Sequence, residues 1–329
     1  MTLTLTICDD SALARKQLAR ALPPDLDIHL SFATQGHEAL QRIRQGHANI
    51  LLLDLNMPDM DGYQVLRTIR EEDLPCLVIV ISGDIQEAAK RQVIQLGALE
   101  FLAKPVCPEQ LALTLSHYGL TPKPGLTPKA IPSEAERPVN LTELLQETMN
   151  VAMGQAGRLL GSLLNTFVHL PIPKVHHTPY AQLPGQLQLA DCDQVAAVSQ
   201  GFIGSGISGE AVLLLEQEHL PKVARFLPDA CAATDSPDLD VLTELAALLS
   251  GACLRGFAEQ LDLRFSLGHP VFLGLSDSVK NLLNAQQTHE VLAVEIDYRL
   301  PEVDIDCDLL MIFTSDSLAA LNERTGYLG

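Results

Sequence analysis

Apolar residues over the first 120 positions fall into two alternating rhythms. Short aliphatic runs at residues 3–8, 27–32, 50–54, 76–82 and 99–102 have the length and continuity of strands covered on both faces. Between them, residues 11–22, 35–45, 62–71, 86–96 and 108–117 repeat apolar side chains every three or four positions, the rhythm of helices with one buried face. Ser11 is placed to cap the first of these helices, and Pro108 suits the first turn of the last. Five strand–helix units in succession predict a five-stranded, doubly wound, all-parallel sheet.

In such sheets the chemistry gathers at the carboxyl ends of the strands. There the first strand offers Asp9 and Asp10, the third Asp54, the fourth Ser82-Gly83-Asp84, and the fifth is followed by Lys104-Pro105. Three carboxylates at one sheet edge raise one another's pKa, a conflict that a hard, oxygen-seeking cation such as Mg²⁺ resolves. Carboxylates, a hydroxyl and a lysine together make a site for a tetrahedral anion beside a divalent metal. Asp54 is placed to attack a phosphoryl donor, with Lys104 holding an equatorial oxygen.

After residue 120 the rhythm breaks. Prolines crowd residues 121–139, a composition that favours extended, semi-rigid chain, so this stretch reads as a linker between residues 1–120 and 140–329. Helical spacing then returns over residues 141–165. Its core face would carry Leu144, Leu145, Ala152, Ala156, Leu159, Leu160 and Leu163. Another stripe takes steps of four and three through Glu143, Glu147, Asn150, Gly154, Gly157 and Gly161. Each glycine costs up to ~1 kcal/mol of helix propensity against alanine, which implies a backbone packed close by. The series Asp240, Glu244, Ala247, Gly251 repeats the steps 97 positions later, and the same shift takes Pro173 to Pro270. Residues 140–329 thus read as two copies of one α/β unit. Strands near 199–207, 209–215, 290–298 and 307–313 are expected to share an antiparallel sheet.

Composition narrows the partners. With 22 basic against 41 acidic residues the net charge is −19, which disfavours a nucleic-acid partner held by phosphate contacts. Seven scattered cysteines without a C-x-x-C pair signal neither a zinc site nor a disulfide framework. No unbroken apolar run approaches the ~20 residues that would span a bilayer, and no secretion signal precedes Asp9. A cytoplasmic chain with no membrane partner is expected.

The pattern Asp9-Asp10, Asp54-x-Asn56-Met57-Pro58, Asp61-Gly62, Ser82-Gly83 and Lys104-Pro105 resembles the response-regulator receiver domains of the CheY family, which have a flavodoxin-like fold. The resemblance implies that Asp54 is the phospho-acceptor and a histidine kinase the phosphodonor. It also implies Mg²⁺ held by Asp10, Asp54 and the backbone carbonyl of Asn56, with Asp9 in the acidic pocket. Ser82 and Lys104 would contact the phosphoryl group, Phe101 would be the switch aromatic, and the Lys104–Pro105 bond would be cis. Residues 140–329 resemble the CheC, CheX and FliY group, through Glu147-x-x-Asn150-x-x-x-Gly154, the internal repeat and the closing strands. That resemblance implies a phosphoaspartate phosphatase acting on a CheY-type receiver. Glu147 would pair with the receiver's lysine and Asn150 would place the attacking water. Alanine at 247 implies that the second copy is inactive, and Glu143 stands where the family favours Asp or Ser. The competing readings are a solvated helix face without catalysis, a receiver-binding adaptor or phosphate sink, and action on the chain's own Asp54.

Three weaker signals are read as structural. Gly204-Ser205-Gly206-Ile207-Ser208-Gly209 spells a dinucleotide fingerprint, but a strand rather than a helix follows it, so a hairpin is expected. His169, His176 and His177 read as surface histidines. Asp304, Asp306 and Asp308 read as a solvated strand edge.

Overall fold

The computed structural model describes residues 3–121, 140–164, 166–187, 194–226, 237–276, 279, 283, 289–301 and 304–325. The chain divides into two compact units, Met1–Glu147 and Thr148–Leu328. From residue 122 to 139 the proline-rich stretch lies outside the described residues.

In the first unit five strands, β1 (Leu3–Cys8), β2 (Ile28–Ala33), β3 (Ile50–Leu53), β4 (Leu77–Ser82) and β5 (Glu100–Ala103), alternate with α1 (Ala12–Ala21), α2 (Gly36–Arg44), α3 (Gly62–Glu71), α4 (Glu87–Gln95) and α5 (Pro108–His117). All strand pairs are parallel, in the order β2-β1-β3-β4-β5. The central strand β3 is buried throughout, as its unbroken aliphatic run requires. Leu5, Ile7, Leu52, Ile79 and Ile81 feed a core on one face, and Leu51, Leu53, Val78 and Val80 a core on the other. Ser11 caps α1 by accepting the Ala14 amide at 3.2 Å, Pro108 opens α5, and the Lys104–Pro105 bond is cis.

The second unit carries an antiparallel sheet. It contains β6 (Lys174–Pro179), β7 (Val195–Gly204), β8 (Ile207–Glu216), β9 (Ser266–Leu267), β10 (Val271–Ser276), β11 (Glu290–Leu300) and β12 (Ile305–Phe313). Long helices α6 (Leu141–Leu164), whose residues to Glu147 are counted with the first unit, and α8 (Pro237–Leu261) open the two halves. Short helices α7 (Leu220–Phe226) and α9 (Ser317–Thr325) close them. The sheet order is β10-β7-β8-β12-β11-β6, with β9 beside β7, and every pairing is antiparallel. This is the doubled architecture expected from the 97-residue shift, which takes Lys174, the start of β6, to Val271, the start of β10. The arrangement is also crossed. Each half sends its first strand to the far edge of the other half, β6 onto β11 and β10 onto β7. The expectation of four strands missed both edge strands, which are short and carry histidine or glycine.

Two details of helix packing differ from the sequence reading. Leu159, assigned to the core face of α6, is 39 % exposed, while Met149 and Met153 are fully buried. A close backbone approach is found at Gly256 of α8. A Cβ there would stand 2.8 Å from the Cα of Ala152. At Gly157 the neighbour is a side chain, that of Leu170. The G-x-G-x-x-G stretch is a hairpin turn between β7 and β8, with Ser205 (φ 54°) and Gly206 (φ 81°) in the left-handed region between paired Gly204 and Ile207. Among the described residues one helix segment, Leu239–Leu261, is long and apolar enough to cross a membrane. In its most apolar window 61 % is buried within the fold, as in a core helix.

Candidate functional site

Four strands of the first unit, β1, β3, β4 and β5, deliver polar residues to one edge of the sheet, and Lys104 stands at the centre. Its ammonium donates to Asp9 Oδ2 at 2.8 Å and to Glu147 Oε1 at 3.0 Å. Asp54 Oδ1 is also 3.0 Å from Nζ, but accepts no aligned hydrogen bond. The other oxygen, Asp54 Oδ2, accepts the Asn56 backbone N–H at 2.8 Å. Asp9, Asp54 and Lys104 are buried, and Ser82 is fully so. Ser82 Oγ accepts the Asp84 amide at 3.1 Å. Phe101 is half-buried against the core, with the Lys90 ammonium 5.9 Å from its ring centre.

Local chemistry explains the frame. Asp61 and Gln64 form a capping box that starts α3. Gly62 then packs beneath Asp54, where a Cβ would collide with the Asp54 carbonyl oxygen. Asp9 Oδ1 accepts the Ser11 amide at 2.9 Å. Sequence reasoning missed Arg15, whose Nη1 donates to the carbonyls of Asp9 at 2.7 Å and Asp10 at 3.0 Å. A cation one turn into the helix behind an acidic pair was the available signal.

The pocket is over-supplied with negative charge. Burial pushes Asp9 up to about 7, with the charges of Asp54 and Glu147 adding to the shift and Lys104 opposing it. Asp10 rises to about 7 and Asp54 to about 6, again first through burial. Burial acts to lower Lys104, but Asp54, Asp9 and Glu147 outweigh it and hold the ammonium charged. Among the described residues no three carboxylate, imidazole or thiol groups are gathered as a cation would gather them, since Lys104 sits between Asp9 and Asp54. The donor set nonetheless fits Mg²⁺ chemically. It is all oxygen with excess negative charge, and Asp54 Oδ1 is a buried oxygen without a hydrogen bond.

On α6 the stripe breaks into separate roles. Glu143 joins Asn140 in a second capping box, its amide donating to Asn140 Oδ1 at 2.8 Å. Glu147 is buried against Lys104, and Asn150, one turn on, is 7 % exposed. The solvated helix face weighed for these two residues is therefore not what forms. In the second copy Glu244 is exposed and Ala247 half-buried.

A second cluster lies in the second unit. Asp297 on β11 pairs directly with Asp308 on β12, and Glu295 shares their face. All three are buried. His176 Nε2 lies 3.0 Å from Glu295 and Arg299 donates to Asp297 at 2.6 Å, while Asp308 Oδ2 has no partner. Burial, then Glu295 and Asp297, push Asp308 up to about 7. This corrects two expectations: Asp308 is not a solvated edge residue, and His176 is tied to a buried carboxylate.

Comparison with known proteins agrees with the first unit. The response regulator receiver domain family matches residues 5–116. Protein-glutamate methylesterase/protein-glutamine glutaminase 3 of Geobacter sulfurreducens is 35 % identical over 103 residues, 31 % of this chain and 27 % of that protein. The matches to the curated relatives thus span well under two thirds of those proteins' length. Among solved structures, the response regulator domain of Thermotoga maritima CheB is 25 % identical, covering 36 % of this chain and 93 % of its own, with TM-score 0.32. Thermotoga maritima FliY is 15 % identical, covering 57 % of this chain and 97 % of its own, with TM-score 0.45. The amino-terminal part of this chain is a CheY-like receiver domain.

Proposed function

We propose that this chain is a cytoplasmic response regulator of a chemotaxis-type two-component pathway. A histidine kinase phosphorylates Asp54, and the carboxy-terminal unit hydrolyses phosphoaspartate on a CheY-type receiver. The single observation that carries the reading is the ion pair between Glu147 Oε1 and Lys104 Nζ, 3.0 Å apart and nearly closed to solvent. A glutamate of α6 can therefore hold the lysine that a receiver uses for its phosphoryl group. Asn150, one turn further on, lies on the same helix face as Glu147. An uncharged amide orients water in line with the P–O bond without repelling phosphate. Mg²⁺, held by Asp10, Asp54 and the Asn56 carbonyl, would neutralise charge on the phosphoryl group. Ser82 and Lys104 would contact its oxygens, and Phe101 would report its presence.

The alternative of an adaptor or phosphate sink draws on the burial of Asn150 at 7 % exposure, which leaves the amide closed to solvent. Decay of a phosphorylated CheY-type receiver separates the two. The wild-type chain should accelerate decay and Asn150→Ala should slow it about tenfold or more. Equal decay with both proteins leaves only the adaptor.

A further inference from the structure

The Asp9–Asp10 pair belongs to neither a strand nor a helix. Pairing of β1 ends at Cys8, opposite Ala33 and Leu53, and α1 starts at Ala12. Individual hydrogen bonds must therefore hold the segment between them. Asp9 has several. Its amide donates to the Ala33 carbonyl at 3.2 Å, and its carboxylate accepts the Ser11 amide at 2.9 Å and the Lys104 ammonium at 2.8 Å. At Asp10, where the chain bends, the hold on the backbone comes from Arg15. Its Nη1 donates to the Asp10 carbonyl at 3.0 Å and to the Asp9 carbonyl at 2.7 Å, so one nitrogen bridges the pair.

An arginine at this position costs α1 something. Arg15 stands at the end of the first turn, where a cation opposes the helix dipole, and no acidic residue in that turn offsets it. The two carbonyls do, since hydrogen bonds from a charged donor are the stronger kind. We propose that Arg15 is a positioning residue for the divalent-cation site: by bridging the Asp9 and Asp10 carbonyls it fixes the backbone from which the Asp10 carboxylate reaches Mg²⁺. The inference rests on the receiver reading of the acidic pair. Charge and geometry pull Mg²⁺ affinity in opposite directions here. As a bare positive charge Arg15 repels a cation from the pocket, and its removal would tighten binding. As a brace it strengthens binding, because Mg²⁺ demands near-octahedral ligands at about 2.0–2.1 Å and tolerates little drift of a carboxylate. Groups that orient metal ligands in this indirect way change affinity about ten- to hundredfold when lost.

Isothermal calorimetry of Mg²⁺ binding to the full-length, unphosphorylated chain tests it, with Asp10→Asn marking the heat that belongs to this site. Arg15→Met keeps the apolar stem and removes both charge and donors. It should weaken Mg²⁺ binding about tenfold or more. Arg15→Lys, which returns the charge and an N–H donor on a stem one bond shorter, should recover part of the loss. The urea midpoint of each variant without metal is measured alongside, because a role confined to stability would lower that midpoint and leave the dissociation constant alone. Should Arg15→Met not fold, Arg15→Gln, neutral and too short to span both carbonyls, takes its place. A neutral variant that binds Mg²⁺ as tightly as wild type, or more tightly, overturns the proposal. Absence of Mg²⁺ binding by the wild-type chain is a different failure, since it removes the metal from the proposed function itself.

Discussion

Asp308 shows what one buried carboxylate does when its cross-strand neighbour is another. Asp297 is tied to Arg299 and Glu295 to His176 and Lys174, which leaves Asp308 as the uncompensated member. The nearest charge on the adjoining strand β8 is Glu216, again an acid. In the fold its carboxyl is raised to about 7, against ~3.9 in an unfolded chain. The folded state therefore keeps a proton that the unfolded state has already lost, and Asp308 lowers stability progressively as pH climbs from about 4 to 7. Asp308→Asn, neutral throughout, should melt higher than wild type at pH 8 and no higher at pH 4. A melting-temperature difference that does not change with pH would refute this. Alternation along residues 304–308 marked three aspartates on one strand face. It could not say that the neighbouring strand would set Asp297 opposite the last of them.

The two long helices carry the same lesson one level up. The existence of both and the length of α6 were legible from residue spacing, and α6 begins at the expected Leu141. Their contact was not, because glycine in a helix marks a penalty without naming the neighbour that offsets it. The stripe on α6 pointed to Gly154, Gly157 and Gly161. At Gly157 the neighbour is the Leu170 side chain, and a close backbone contact between the helices uses Gly256. Gly256→Val should therefore destabilise the second unit by about 1–3 kcal/mol, seen as a lowered urea midpoint. The equivalent change at Gly251, where a Cβ meets only Leu267 at 3.8 Å, should cost much less. Equal effects at the two positions would show that α8 does not pack on Ala152 as described.

In the whole molecule, the first unit is a sheet whose strands follow local order closely, and the second is a sheet whose halves are crossed. Because, among the described residues, β6 pairs only with β11, and β10 lies at the far edge on β7, neither half keeps its own edge strand. Residues 140–235 expressed alone should lack a cooperative thermal transition, while residues 140–329 should show one. A half-length chain that melts cooperatively would contradict the crossed arrangement. The sequence by itself determined the parallel βα receiver, the carboxylate–hydroxyl–lysine edge and the two-copy second half. Each of these follows from apolar period, cap residues and a fixed repeat, which are local properties of the chain. Tertiary structure alone decided that the lysine Glu147 reaches is the chain's own Lys104, that Asp308 is stranded among acids, and that Gly256 is where two helices meet. Those are meetings between residues 43, 11 and 104 or more positions apart or across separate elements, and no periodicity along a chain records which distant groups will share one buried, weakly screened volume.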